Sequence, residues 1–470
     1  MAIQGKDKTG ICKYFRNTMS FDLLPPEFEE AMHKQLGESY LNFTRSLKET
    51  PPVSIRLNPN KNSSLKDLKK IPWSKYGRYL KERPIFTLDP LLHGGAYYVQ
   101  EASSMFLEEA FLQSVDQTIP INVLDLCAAP GGKSTHLLSL MNNQSLLVCN
   151  EVIRSRASIL SENIQKWGQC NAVVTNNDPK DFQRLQGFFD VIVVDAPCSG
   201  EGLFRKDPDA MKEWSTGNVE LCSKRQRRIL SDVWPALKQN GILIYSTCTY
   251  NEKENEENLA WLVREKKAES LKLKVESDWH IEEVDTNGIL GYRFYPHHVR
   301  GEGFFLSVVR KIKEEDEHQI KSRPTFVSPP SKILSQLKDW IHHPEEKTFI
   351  NRNDQFQFFP KDKTQEIEFL AKNLYLLSAG TVMATAKHEK LIPEHPLAMS
   401  IEVNKENFNL LELELAEALR YLRKETLSIP SSKKGFSLMT YQGVPLGWAN
   451  VLDNRLNNLY PTGWRVRMEG

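Results

Sequence analysis

The sequence predicts an α/β fold, a doubly wound, Rossmann-like core flanked by smaller modules. Three observations lead there. From about residue 120 to 311, short apolar runs alternate with helical segments, as in a parallel sheet covered on both faces. The apolar runs are continuous rather than alternating, as strands buried on both sides must be. The first of them leads directly into a glycine turn, Asp125-Leu126-Cys127-Ala128-Ala129-Pro130-Gly131-Gly132-Lys133, that opens the next helix.

Taken in order, residues 1–88 read as a small α+β domain. A helix is expected over Pro26–Leu41 and a strand over Val53–Leu57, with prolines at 51, 52, 59, 72 and 84 punctuating the rest. The core domain is expected over 89–311. Its strands are Asn122–Leu126, Ser145–Asn150, Ala172–Asn176, Asp190–Val194 and Gly241–Tyr245, closed by Gly303–Val309. Its helices are Thr135–Met141, Ser155–Trp167, Val219–Leu237 and Glu252–Lys266, the third ending at Trp234-Pro235. Residues 312–330 are rich in Lys, Glu and Asp and close on Pro329-Pro330, a solvated linker. A small α+β domain is expected over 331–400. A final module over 401–470 is rich in Gly, Trp, Tyr and Arg.

The 61 Lys and Arg residues balance 60 Asp and Glu, a formal charge of +1, so any polyanion-binding surface must be local. Seven cysteines, an odd number with no CxxC pair and none beyond Cys248, argue against a disulfide framework and a structural zinc site. No signal peptide is visible, and no run of about 18 apolar residues. The expectation is a cytoplasmic monomer with no metal and no membrane span.

In a doubly wound sheet, ligands bind beyond the carboxyl ends of the strands. The turn after Leu126 aims backbone N–H groups at a ligand, and Gly131 and Gly132 permit close approach. A phosphate-binding P-loop needs a glycine five residues before Gly132, where Cys127 stands, so that reading fails. S-adenosylmethionine is the alternative cofactor. It needs an acid at the second strand end for the ribose hydroxyls, and Glu151 stands there. Asp178 follows the third strand, placed to accept from the adenine amino group, and Asp195 ends the fourth. Each acid alone reads as a helix cap or a solvated group. Three in register with a glycine turn define a cofactor edge.

Most cysteines behave as small buried hydrophobes, and Cys149, Cys170 and Cys222 are read so. Cys198, in Asp195-Ala196-Pro197-Cys198-Ser199-Gly200, and Cys248, in Ser246-Thr247-Cys248-Thr249, differ because each follows a strand. If those strands are neighbours, both sulfurs share one pocket. A thiolate adding to carbon 6 of a cytosine makes carbon 5 nucleophilic toward a sulfonium methyl, and a second thiol can assist proton removal and release. Asp195 is placed for the pyrimidine N3 and amino edge.

These motifs resemble the NOL1/NOP2/Sun family of RNA 5-methylcytosine methyltransferases. The matching segments are Leu124–Lys133, Asp195–Gly200 and Ser246–Thr249, with Gly94–Ser104 similar to the family's entry segment. The tail, Gly443-Val444-Pro445-Leu446-Gly447-Trp448 with Tyr460-Pro461 and Trp464-Arg465, is similar to the PUA-like β-barrel of the branch acting on small-subunit (16S) ribosomal RNA. The resemblance implies Cys248 as nucleophile, Cys198 as the releasing thiol, and a cofactor site lined by Cys127, Ala128, Ala129, Pro130, Gly131, Gly132, Lys133, Glu151, Asp178 and Asp195. It implies S-adenosyl-L-methionine as cofactor and RNA, or the small ribosomal subunit, as partner. The rival readings are a transfer RNA methyltransferase and a noncatalytic RNA-binding or assembly factor.

Basic residues among aromatics mark nucleic-acid contacts. The candidates are Trp448, Arg455, Tyr460, Trp464, Arg465 and Arg467, with the cluster Lys224-Arg225-Gln226-Arg227-Arg228. The competing readings are a small β core for the aromatics and a solvated helix face for the cluster.

Overall fold

A computed structural model describes residues 24–61, 64–312, 326–388, 390–427, 434–453 and 455–468. Cys12 and most of the expected linker lie outside them. The chain enters through the helix Pro26–Leu36. It breaks at Gly37, in the left-handed region at φ +53°, and resumes as Tyr40–Leu47, so the expected single helix is two. Strands β1 (Val53–Leu57), β2 (Lys70–Ile71), β3 (Ser74–Leu80) and β4 (Tyr97–Val99) form an antiparallel sheet in the order β2-β3-β1-β4. β4 lies beyond residue 88. The N-terminal sheet is completed by three residues whose pattern is too short to read as a strand.

The central sheet begins with five parallel strands, β5 (Asn122–Asp125), β6 (Leu146–Asn150), β7 (Ala172–Thr175), β8 (Phe189–Asp195) and β9 (Leu237–Thr247). Antiparallel β10 (Ala268–Ser270), β11 (Glu282–Thr286), β12 (Ile289–Phe294) and β13 (Phe304–Lys311) extend it beyond β9. Along the parallel part the order is β9-β8-β5-β6-β7, which reverses between β5 and β8. That is the switch point where such sheets bind ligands. Alternate residues face opposite cores. Val123, Val191 and Val193 pack with Leu137, Leu160 and Trp167 of the helices Gly132–Leu140 and Arg154–Trp167. Leu124, Ile192 and Val194 pack with Ile229, Leu230, Leu259 and Leu262 of the helices Thr216–Val233 and Glu256–Lys266.

The next module carries β14 (Lys347–Arg352), β15 (Gln355–Pro360), β16 (Leu376–Ala379), β17 (Thr381–Lys387) and β18 (Lys390–Pro393). Four of these make their own sheet, β14-β15-β17-β18. β16 leaves it and pairs antiparallel with β7, Leu376 opposite Thr175 and Ala379 opposite Val173. It thereby covers an edge of the central sheet that would otherwise present unpaired backbone.

The last module holds β19 (Asn409–Glu412), β20 (Gly435–Tyr441), β21 (Val444–Val451) and β22 (Leu456–Asn458), in that spatial order. β19 and β20 are parallel, with the helix Leu415–Leu422 between them in the chain. Among the described residues this is an open sheet rather than a closed barrel. The reason is that other elements cover both faces. Ala418, Tyr421 and Leu422 of the helix pack on Met439, Leu446 and Ala449, while Leu438 and Trp448 pack into the preceding module with Met383, Leu397 and Met399.

Close backbone contact joins this C-terminal half to the core. Gly168, at φ +96°, caps the helix Arg154–Trp167, and its carbonyl accepts from Ile401 N at 3.0 Å. A Cβ at Gly168 would stand 2.3 Å from Met399 O. Gly168→Ala therefore combines left-handed strain with a backbone clash, and it is expected to lower stability by about 2 kcal/mol or more. Chemical denaturation should show the loss, with the β9-side core substitution Ile242→Val costing less.

Candidate active site

Parallel pairing of β8 with β9 sets Asp195 opposite Ser246. Ala196 N–H donates to Ser246 O at 2.8 Å, so the two strands leave the sheet together. The loops that follow bring Cys198 Sγ to 3.1 Å from Cys248 Sγ. The hydroxyls of the next residues, Ser199 and Thr249, lie 3.0 Å apart. Gly202 N–H donates to Cys248 O at 2.8 Å, and a Cβ there would stand 2.5 Å from Gly303 O, so only glycine fits between these segments.

The hydrogen bond to Cys248, together with burial, pushes the Cys198 thiol well above its ordinary pKa. Cys198 is thus held protonated beside the other sulfur, which is partly exposed. Cys127 in the glycine turn is raised by burial and by Asp125, which suits a structural thiol. Cys149, Cys170 and Cys222 are buried.

Asp195 is gripped from two sides. Lys133 Nζ lies 2.8 Å from Oδ2 and the Ser246 hydroxyl donates to Oδ1 at 2.8 Å. Burial works against the Lys133 charge, but Asp195 beside it raises its pKa above the ordinary value. Its ammonium also stands 5.2 Å from the Phe304 ring centre.

The glycine turn forms as the sequence predicts. Gly131 sits at φ +116°, and the helix Gly132–Leu140 starts immediately after it. Beneath it Ser134 Oγ donates to Asp125 Oδ2 at 2.6 Å, while the buried Oδ1 has no hydrogen-bond partner. Burial pushes the Asp125 carboxyl up to about 7. Glu151 follows β6 and is nearly buried. Its Oε1 accepts from Ile153 N at 2.9 Å, and Oε2 lies 3.6 Å from Arg156. Asp178 follows β7, caps the next turn through Lys180 N at 3.1 Å, and lies 3.6 Å from Arg228. Glu151, Asp178, Asp195 and the turn therefore all stand at the carboxyl ends of adjacent strands.

Sequence reasoning missed Arg56. This fully buried side chain of β1 donates to Gly132 O at 3.1 Å, Thr135 Oγ1 at 2.6 Å and Gln100 Oε1 at 2.9 Å. It anchors the start of the helix behind the turn. An arginine in a VSIRL strand gives no signal of that task, because its partners lie more than forty residues away in the chain.

The proposed RNA-contact residues divide. Trp448 and Tyr460 are core residues, and Trp448 Nε1 donates to Glu394 O at 2.9 Å. Trp464 is half-buried against His395 and beneath Lys166. Arg455, Arg465 and Arg467 are exposed. In the basic cluster Lys224 pairs with Glu220, Arg227 donates to Asn258 at 2.7 Å, Arg228 faces Asp178, and Gln226 is buried. Much of that cluster fastens its helix in place.

Comparison with known proteins agrees with this architecture. Residues 111–310 match the model of 16S rRNA methyltransferase RsmB/F, 24–102 the N-terminal domain of 16S rRNA methyltransferase RsmF, and 408–466 the methyltransferase RsmF PUA domain. Proteins named ribosomal RNA small subunit methyltransferase F are similar over nearly the whole length. That of Shewanella loihica is 32% identical over 83% of this chain and 82% of its own. That of Shewanella oneidensis is 31% identical over 95% of each. Among solved structures, NSun6 from Pyrococcus horikoshii is 21% identical and covers 62% of this chain and 99% of its own, with a TM-score of 0.52. A methyltransferase homologue from the same organism is 27% identical, covers 61% and 100%, and has a TM-score of 0.50. With a central sheet of methyltransferase order, a paired-cysteine site and relatives at about 30% identity over most of its length, the chain belongs to the RsmF family of 16S ribosomal RNA methyltransferases, within the wider NOL1/NOP2/Sun group.

Proposed function

We propose that this protein transfers a methyl group from S-adenosyl-L-methionine to carbon 5 of a cytosine in small-subunit (16S) ribosomal RNA, as a cytoplasmic monomer. The observation that carries the reading is the 3.1 Å contact between Cys198 and Cys248 at the ends of β8 and β9, beside the Lys133–Asp195 pair. Among the described residues no helix is long and apolar enough to cross a membrane.

The residues present fit the cofactor. Gly131 and Gly132 leave the turn's backbone open to a ligand, Glu151 would accept from the ribose hydroxyls, and Asp178 would accept from the adenine amino group. The unpartnered Asp125 Oδ1 adds a second buried acceptor beneath the turn. When bound, the cofactor supplies an electrophilic methyl group on sulfur.

The chain's own residues do the rest. The Cys248 sulfur adds to carbon 6 of the cytosine, and the pair of electrons displaced onto the ring makes carbon 5 nucleophilic. The two sulfurs share a hydrogen bond at 3.1 Å, so a proton can pass between them. Asp195, oriented by Lys133 and Ser246, receives the amino and N3 edge of the base. Once the base is methylated, the carbon 5 proton passes to water, and its C–H electron pair re-forms the 5,6 double bond as the Cys248 sulfur leaves as thiolate. Cys198 assists that last stage. A cytosine in paired RNA must be flipped out to reach the sulfurs.

Cys248→Ala is expected to abolish both transfer and covalent capture. Cys198→Ala is expected to accumulate a protein–RNA adduct, visible as a slow band on a denaturing gel with labelled cofactor and 16S ribosomal RNA. The reverse pattern would exchange the two roles, and no transfer by the wild type despite cofactor binding would sink the enzyme reading. Glu151→Ala is expected to weaken cofactor binding about tenfold or more, the order for losing a charged hydrogen bond, while RNA affinity holds. Isothermal titration with the cofactor and a filter-binding assay with RNA separate the two effects.

A further inference from the structure

Both cysteines are held by one short segment. Glu254 and Asn255 lie just past Cys248, at the start of the helix Glu256–Lys266, and neither is exposed to solvent. Their side chains reach in different directions. Glu254 Oε2 accepts from Ser199 N at 3.1 Å and from Gln226 Nε2 at 2.7 Å. The same Gln226 Nε2 donates to Pro197 O at 3.0 Å. The carbonyl before Cys198 and the amide after it are therefore both fixed, through the Glu254–Gln226 pair. Asn255 does the equivalent for the other sulfur. Its Oδ1 accepts from Thr247 Oγ1 at 2.6 Å, and its Nδ2 donates to Thr249 O at 3.1 Å, so it grips the residues on either side of Cys248.

Further bonds tie this segment down. Tyr245 OH, in β9, donates to the backbone O of Glu254 at 2.7 Å. Glu256 pairs with the buried Arg293 at 2.6 Å. Burial raises the Glu254 carboxyl to about 7, and its Oε1 has no partner, so the group is kept in the core at a cost. A buried acid held at such cost beside a reacting group needs a reason, and the clamp supplies one.

We infer that Glu254 and Asn255 are positioning residues for separate steps: Asn255 aims the Cys248 sulfur for attack, and Glu254, through Gln226, holds the Cys198 loop for release of the methylated base. The inference rests on the roles proposed above for the two sulfurs. Each residue acts through backbone and side-chain groups flanking one cysteine, so loss of either displaces one sulfur relative to the cytosine. Displacements of about 1 Å at a reacting atom cost up to about 100-fold in rate.

The test compares Glu254→Met and Asn255→Asp with the wild type and Cys198→Ala, using labelled S-adenosylmethionine and unmethylated 16S ribosomal RNA. Methionine fills a similar volume and removes the one oxygen that accepts from both Ser199 and Gln226. Aspartate keeps the acceptor for Thr247 but loses the donor to Thr249. Glu254→Met is expected to form adduct at near the wild-type rate and release it about 10- to 100-fold more slowly, so the slow band persists. Asn255→Asp is expected to slow adduct formation by a similar factor with no accumulation. KM for cofactor and RNA should be unchanged in both. Should either variant fail to fold, Gln226→Ala removes the bonds to Glu254 and Pro197 while leaving Ser199 on Glu254, and Thr247→Val removes one bond of the other clamp; both should give weaker forms of the same two defects. Identical defects in both arms, or wild-type turnover in both, would overturn the inference. If Cys198→Ala accumulates no adduct while Glu254→Met and Asn255→Asp still differ in step, the cysteine roles fail and the division of the clamp stands. If Cys198→Ala does accumulate it and the two variants behave alike, the clamp alone fails.

Discussion

The parallel pairing of β8 with β9 is the constraint on which the site depends. It sets Asp195 against Ser246 and releases both chains from the sheet at the same level. The following loops then have only a few residues in which to diverge, and the two sulfurs end in contact. Neither loop would hold this arrangement by itself. The strands are buried on both faces, with Val193 and Ile244 in one core and Val194 and Tyr245 in the other. The apolar cores thus fix the height and spacing of the strand ends, and polar contacts beyond the sheet only have to set the last few ångströms.

Those polar contacts come from several parts of the chain. Gln226 reaches the Cys198 loop from the long helix, Gly202 approaches Gly303, and Arg56 braces the cofactor turn from the N-terminal sheet. Such a network is valuable only when each member is satisfied, because the low-dielectric interior that strengthens a bond also penalises its loss. The extra modules serve the same end at longer range. β16 covers the edge next to the strand that precedes Asp178, and Asn177 exchanges hydrogen bonds with Tyr375 there, at 3.0 and 3.1 Å. The cofactor end of the sheet is therefore completed by a segment nearly two hundred residues away in the chain.

The core was legible in the sequence because each of its signals is local. Continuous apolar runs such as Asp190–Val194 and the Gly131-Gly132 turn state their own structure, while the neighbouring of the two strands that lead to Cys198 and Cys248 entered only as a condition, which the pairing of β8 with β9 meets. What stayed hidden depends on distant partners. Residues 251–257 are all polar and carry no signal of burial, yet Glu254, Asn255 and Glu256 are buried because Ser199, Thr247 and Arg293 receive them. β4 and β16 are too short to carry a pattern, and each becomes a strand only because an edge of another sheet is available. Trp448 and Tyr460 admitted both an RNA-contact and a core reading, since an aromatic in a strand reads alike whether its face meets RNA or a neighbouring module.

Charge decides what the strand ends can receive. Asp125, Glu151 and Asp195 stand close enough to influence one another. Burial is the first cause of the raised Asp125 carboxyl, the Ser134 bond opposes it, and the charges of Asp195 and then Glu151 add to it. Lys133 is committed to Asp195, and Arg156 faces Glu151 from the exposed side at 3.6 Å. Arg228 in turn faces Asp178 at 3.6 Å, so three of the four acids at these strand ends have a cation beside them. Asp125 has none at ion-pair distance among the described residues, and its Oδ1 is the acceptor without a partner. The strand ends thus offer acceptors whose charge is already largely matched, which suits the hydroxyl and amino donors of a nucleoside, while the cysteine at 127, where a P-loop has glycine, leaves a polyphosphate without its cradle.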